Sequence, residues 1–281
     1  MKKYLLILFT FILINQPSQA WTWGEWNSDE NSIKRVLKSQ VKYANHANFD
    51  KFIQTYDPKY VNADGFNLDI YSSLVKDIWN TYDNIKYGIE IKDIAIDGNR
   101  AKVQLKETSY AKIPMLHAYE GELNSEADSI YYLEKKNNNW KVISDKVIDE
   151  TTTMLYGQAK GLEIKLFVPN EIEANKEYCA TLEFDPPEKT LAIASIASDI
   201  VEYPQKPTKE VFRALPEDNI LERLFTSNTQ NANEYIVASI GLTKTSVDDL
   251  NLKLSLTGFG YAIKRVNVIP AKDGVNNDKG E

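Results

Sequence analysis

The spacing of the apolar residues changes once, near residue 83, and that change restricts the chain to folds in which helices come first and strands follow. From about 31 to 82 the period is helical. Ile33, Val36, Leu37, Gln40, Val41 and Ala44 follow the i, i+3, i+4, i+7 rule of one buried face. Asn48 is placed to cap a second, short helix carrying Phe49, Phe52, Ile53 and Tyr56, which Pro58 ends. A third helix gathers Tyr71, Leu74, Val75, Ile78, Trp79 and Tyr82 on one side, with Ser72, Ser73, Lys76 and Asp77 facing out. After Asp83 the period is two. Ile85, Tyr87, Ile89 and Ile91 alternate with Lys86, Glu90 and Lys92, and the parity then shifts to Ile94 and Ile96, which predicts a bulge near Asp93. Asp97-Gly98-Asn99 reads as a hairpin turn, and Ala101, Val103 and Leu105 resume the alternation. Two further strands, about 127–135 and 140–149, are joined by a polar turn at 136–139. This is an α+β pattern.

The stretch from about 160 to 270 carries no helical period. Short strands recur instead: Leu162–Val168, Tyr178–Phe184, Leu191–Ala197, Leu221–Thr226, Tyr235–Leu242, Leu252–Leu256 and Tyr261–Val268. Such a run of strands in so few residues predicts an all-β sandwich of immunoglobulin-like type over 161–270, though the Cys…Trp…Cys signature is missing. Gly157 to Gly161 reads as the linker between this unit and a first domain over 31–156, and the polar stretch 271–281 as a disordered tail.

The first twenty residues read as a secretory signal peptide. Lys2 and Lys3 precede an apolar run from Tyr4 to Ile14, Pro17 breaks it, and Ser18-Gln19-Ala20 offers small residues for cleavage after Ala20. The run is shorter than the roughly 20 apolar residues a membrane-spanning helix needs. The expected location is therefore the periplasm or the medium, with no membrane span after cleavage. Loss of residues 1–20 leaves 31 basic against 40 acidic side chains, a net charge of −9. An acidic chain with no basic footprint is not expected to bind nucleic acid. Cys179 is the only cysteine, so no intrachain disulfide forms. It alternates out of phase with Tyr178, Ala180 and Leu182 and has no histidine nearby to activate it.

The first domain resembles the nuclear transport factor 2-like superfamily, which includes SnoaL-like polyketide cyclases and ketosteroid isomerases. The resembling residues are the amphipathic stretch 33–47, Ala-Asn-Phe-Asp-Lys-Phe at 47–52, Tyr-Asp-Pro-Lys-Tyr-Val at 56–61, Gly-Asn-Arg-Ala-Lys-Val at 98–103 and Asn-Trp-Lys-Val-Ile-Ser-Asp at 139–145. The resemblance implies a cone in which a curved antiparallel sheet wraps around the helices and leaves a pocket. It does not imply catalysis, because fold and chemistry are separable.

Isomerase chemistry would need a carboxylate base and a donor for an oxyanion. By the resemblance, Asp64 falls near the base position, Asp128 near a second acid, and Gln40 where the family has its oxyanion tyrosine. The structural alternatives are a turn at Asp64-Gly65 and a strand end at Asp128. Tyr43, Tyr56, Trp79, Tyr82, Tyr87, Tyr110 and His117 are candidate pocket-lining residues, although aromatics at these spacings serve a core equally well. His46 and His117 lack neighbouring ligands, so neither a zinc site nor any cofactor is expected, and the aspartate-rich stretches lack the spacing of a calcium loop. Trp21, Trp23 and Trp26 crowd three indoles together, to be packed on the protein's own surface or used as partner anchors. The Asn-rich turn 228–234 is a further recognition candidate. The sequence thus favours an exported, non-catalytic protein that binds a small apolar ligand or another envelope protein. The alternatives are an isomerase, cyclase or hydratase using Asp64 and Asp128, and a module that assembles as a homodimer.

Overall fold

The Asn48 cap falls where the sequence puts it. In the computed structural model, which describes residues 23–82, 84–116, 119–206, 209–248 and 251–271, α1 covers Trp23–Ala44, α2 Phe49–Ile53 and α3 Leu68–Thr81. The Asn48 side chain accepts from the Lys51 amide at 3.2 Å and Asn67 from the Ile70 amide at 3.0 Å, each satisfying an orphan donor at a helix start. Tyr56, expected on α2, lies past its end, where the backbone forms an isolated bridge to Val142. Among the described residues no helix is long and apolar enough to cross a membrane.

Four long strands follow: β1 Lys86–Asp97, β2 Arg100–Leu116, β3 Tyr119–Lys136 and β4 Asn139–Gly157. The β1–β2 register shifts between Ile91 and Asp93, at the expected bulge, and Gly98 turns the hairpin with φ +56°. β3 and β4 run well beyond the expected limits of 127–135 and 140–149; their added stretches pair from Gly121↔Tyr156 onward and bury Leu123, Leu155 and Tyr156. The remaining strands are β5 Lys165–Phe167, β6 Glu171–Glu173, β7 Glu177–Glu183, β8 Leu191–Ile200, β9 Arg213–Ala214, β10 Ile220–Thr226, β11 Glu234–Asp248 and β12 Asn251–Ile269.

One mostly antiparallel sheet runs through both parts of the sequence in the order β1-β2-β3-β4-β12-β11-β8-β9, with β6 parallel beside β12. The first half of β4 faces the helices; its second half pairs with β12, from Thr151↔Lys264 to Gly157↔Gly258. β10-β7-β5 form a separate three-stranded sheet. Leu166, Tyr178, Leu182 and Phe184 from its side share one buried core with Ile196, Ile236, Ile240 and Leu242 of the large sheet. The protein is therefore mostly β, with a large antiparallel sheet and few helices.

One local expectation changes. The strands foreseen at 252–256 and 261–268 are one strand, β12, because Gly258 and Gly260 sit inside it rather than in a turn. A Cβ at 258 would lie 2.6 Å from the Ala159 amide nitrogen, and one at 260 would lie 2.6 Å from the Leu155 side chain. Gly157 takes φ +57° to enter a 3-10 turn, Gln158–Gly161, whose Ala159 is fully buried. Cys179 lies exposed on the outer face of the three-stranded sheet.

Candidate functional site

The three helices lie over β1–β3, and the packing between them leaves a cavity of about 150 Å³. α1 contributes Leu37, Gln40, Val41 and Ala44, the stripe its period predicts. α3 contributes Tyr71, Leu74, Val75, Ile78 and Trp79, while Phe52 and Tyr56 come from α2 and the turn behind it. The sheet supplies Tyr87, Gly88, Ile89, Leu105, Glu107, Thr108 and Tyr131. Gly88 fits by close approach, since a Cβ there would meet the Thr108 hydroxyl at 2.7 Å.

The polar groups around this cavity are mostly paired. Tyr56 and Tyr71 share a hydroxyl–hydroxyl hydrogen bond of 3.0 Å, Trp79 Nε1 donates to the Tyr87 hydroxyl at 3.1 Å, and the Tyr131 hydroxyl donates to Glu107 Oε1 at 2.8 Å. Gln40 differs. It is 6% exposed, and its Nε2 is buried with no hydrogen-bond partner among the described residues. Burial pushes the Glu107 carboxyl above the ordinary range, opposed by the nearby hydroxyls of Ser129 and Tyr131. Burial likewise raises the Tyr56 and Tyr131 phenols, so both stay neutral donors.

Beside the cavity a second polar cluster ties the helices to the far sheet. The Tyr60 hydroxyl donates to Asp145 Oδ2. Burial pushes Asp145 up to about 7, against the pull of that hydrogen bond and of Arg265 and with the help of Glu107 and Asp64. Arg265 on β12 pairs with Asp64, which also accepts from Asn233 Nδ2 at 2.7 Å.

Of the catalytic candidates, only Gln40 lines the cavity. Asp64 sits in the Asn62–Gly65 turn, its amide bonded to Asn62 Oδ1 and its carboxylate committed to Arg265. Asp128 is exposed opposite Lys106 on the outward face, because β2–β3 pairing keeps cross-strand partners on one side and Leu105 and Ser129 take the inner one. The structure does not bring these two acids together. Tyr56, Trp79 and Tyr87 line the cavity; Tyr43, Tyr82 and Tyr110 do not. Tyr43 packs on the outer flank of the helix core, Tyr82 joins a separate cluster with Ile85 and Tyr156, and Tyr110 is exposed. His117 and Trp21 lie outside the described residues, and Trp23 and Trp26 fall at the start of α1. Glu107, Tyr71 and Tyr131 were missed. The signal for Glu107 was present: it continues the inward parity of Ala101, Val103 and Leu105.

Residues 35–154 match the model of a family described as the C-terminal domain of the anti-sigma-I factor RsgI9, which is less than half of the chain. No curated protein matches. Among solved structures, Bd1075 of Bdellovibrio bacteriovorus is similar at 16% identity and TM-score 0.36, over 44% of this chain and 42% of that one, so the chain spans under half of Bd1075. An NTF2-like (nuclear transport factor 2-like) protein of unknown function from Pseudomonas putida is similar at 11% identity and TM-score 0.31, over 43% and 86%. A SnoaL-like polyketide cyclase from Agrobacterium tumefaciens is similar at 10% identity and TM-score 0.29, over 42% and 90%. The first half of the chain thus has NTF2-like and SnoaL-like neighbours, and the second half is not identified.

Proposed function

We propose that this chain is an exported, non-catalytic binding protein whose helix–sheet cavity holds a small apolar molecule. The observation that carries this reading is the aromatic-lined space itself, about 150 Å³ between the helices and the sheet, a concave and mostly apolar site of the kind that takes small molecules. The cone expected for residues 31–156 accounts for its position. The match to a domain of an anti-sigma factor, a regulator by name, favours recognition over turnover. Export rests on the pattern of residues 2–20, with cleavage after Ala20. The two-layer β unit, read as a sandwich of immunoglobulin-like type over 161–270, would supply a second recognition surface for an envelope protein.

A catalytic reading has one observation in its favour. Glu107, a carboxyl raised by burial, lines the same cavity as the unpaired amide of Gln40, a base-and-donor combination. That reading needs Glu107 in place of Asp64 and Asp128.

Native mass spectrometry of the chain purified from its own host tests the proposal. A retained small molecule supports it. An empty monomer would turn attention to protein recognition, and an empty dimer to an assembly role.

A further inference from the structure

A second cleft opens where the two parts of the chain meet on the large sheet. Strands β4, β12, β11 and β8 lie side by side there, and Thr152, Ile263 and Val237 form one cross-strand row. Side chains alternate with a period of two, so Glu150, Tyr235 and Asp199 form the next row on the same face. These two rows floor a cleft of about 400 Å³. Its other walls come from residues 201–205 after β8 and from Phe66 and Leu74 of the helical part. The Tyr203 hydroxyl donates to Asp77 on α3 and fastens the 201–205 segment to the helices.

The charged residues lining this cleft are all acids: Glu150, Asp199 and Glu202, with no lysine, arginine or histidine among the described residues. The bases nearby are committed. Arg265 pairs with Asp64 and donates to Asn267, and Lys206 pairs with Glu202 at 2.8 Å. Glu150 accepts from the Tyr235 hydroxyl at 3.1 Å, and burial raises its carboxyl above the ordinary range, opposed by Arg265 and by that hydroxyl. Asp199 is half-buried and has no hydrogen-bond or ion-pair partner among the described residues. A carboxylate partly withdrawn from water and left unpaired is costly, and a cleft lined by one sign of charge concentrates the opposite sign. A bare metal ion does not fit, since no group of three acidic, histidine or cysteine side chains among the described residues could hold one.

We infer that this cleft binds an organic cation, whose ammonium group pairs with Asp199 and Glu150 beside the Tyr235 ring while its apolar body lies on Ile263 and Val237. An aromatic face adds to the attraction for an ammonium group, and the apolar row beside the acids suits the rest of such a molecule. Leu74 lines both this cleft and the helix–sheet cavity, but none of the three acids reaches that cavity, so one site can fail without the other.

Isothermal titration calorimetry of the full chain at neutral pH with phenethylamine, with 2-phenylethanol of the same size and no charge, and with 3-phenylpropionate tests it. Phenethylammonium should bind about tenfold tighter than 2-phenylethanol or better, the worth of a hydrogen bond to a charged group, and 3-phenylpropionate should bind weakest. Asp199→Asn should remove most of that advantage and leave the 2-phenylethanol affinity as it was. Because Asp199 supports no pairing within the fold, the melting temperature should stay near that of the parent chain. Glu202→Gln, which also frees Lys206, should give a smaller selective loss and serves if Asp199→Asn does not fold. Equal affinities for the amine and the alcohol in the unsubstituted chain would overturn the inference, as would tighter binding of 3-phenylpropionate. An amine advantage that survives both substitutions would place the cation elsewhere and overturn it too.

Discussion

Arg265 Nη2 lies 2.5 Å from Asp64 Oδ1, with the two side chains 1% and 9% exposed, and this pair joins the turn before α3 to the strand that carries the second half of the sheet. Arg265 also donates from Nε to Asn267 Oδ1 at 3.0 Å. A buried pair of this kind contributes little when replaced whole, but losing one partner strands a charge. Asp64→Asn is therefore expected to cost about 3–5 kcal/mol. The double substitution Asp64→Leu, Arg265→Met should recover most of that loss. Urea unfolding of the two single variants and the double variant checks this; a double variant as unstable as the worse single one would contradict it.

Asp145 gives the stability a pH dependence of definite sign. Its folded-state value of about 7 lies above the ordinary aspartate value of about 3.9 in an unfolded chain. The folded state therefore holds the proton more tightly, and the contribution is full below about pH 4 and is lost as pH rises through about 7. Asp145→Asn keeps an acceptor for Tyr60 and removes the titration. The melting temperature of the variant should exceed that of the parent chain at pH 8 by more than it does at pH 5. An identical difference at both values would show that Asp145 does not titrate in this window.

How much of this was legible in the sequence depends on whether a residue's role is local. The helix cap at Asn48, the bulge at Asp93 and the turn at Gly98 were readable, because each is decided by a few neighbouring residues. So was the buried stripe of α1, including Gln40. The roles of Asp64 and Asp128 were not. Asp64 is decided by Arg265, far along the chain, and Asp128 by the pairing parity of β2 and β3. β12 was divided in two because Gly258 and Gly260 read as a turn signal, whereas they answer to the backbone of β4 and the turn behind it. Glu107 continues the inward parity of Leu105, but that this parity meets a cavity at 107 is decided by how the helices pack on the sheet.

Leu37 links stability to the proposed binding. It is 1% exposed and lines the cavity from α1. Leu37→Ala should destabilise the fold by about 2–5 kcal/mol through lost burial and the enlarged void. The same enlargement should let naphthalene bind more tightly than it binds the parent chain. Calorimetry with naphthalene alongside thermal melts reads both effects. A destabilised variant with unchanged naphthalene affinity would mean that the cavity had collapsed around the lost side chain.

Where β12 pairs with the end of β4, backbone meets backbone closely at Gly258. A Cβ on residue 258 would stand 2.6 Å from the Ala159 nitrogen and 2.8 Å from the Gln158 nitrogen, neither of which a side-chain rotation can relieve. At Gly241, on the neighbouring β11, the nearest obstacle is the Ile193 side chain at 3.1 Å, which can shift. Gly258→Ala is thus expected to cost about 1–3 kcal/mol, the usual range for overpacking, and Gly241→Ala distinctly less. Because β4 carries both the wall behind the helices and the pairing to β12, the strain should also reach the first half. Fluorescence of Trp140, buried under α1, should lose its folded signal at a lower urea concentration in Gly258→Ala. If the Trp140 transition stays where it was while circular dichroism shows the β-rich part unfolding earlier, the two halves unfold separately and the shared sheet does not couple them.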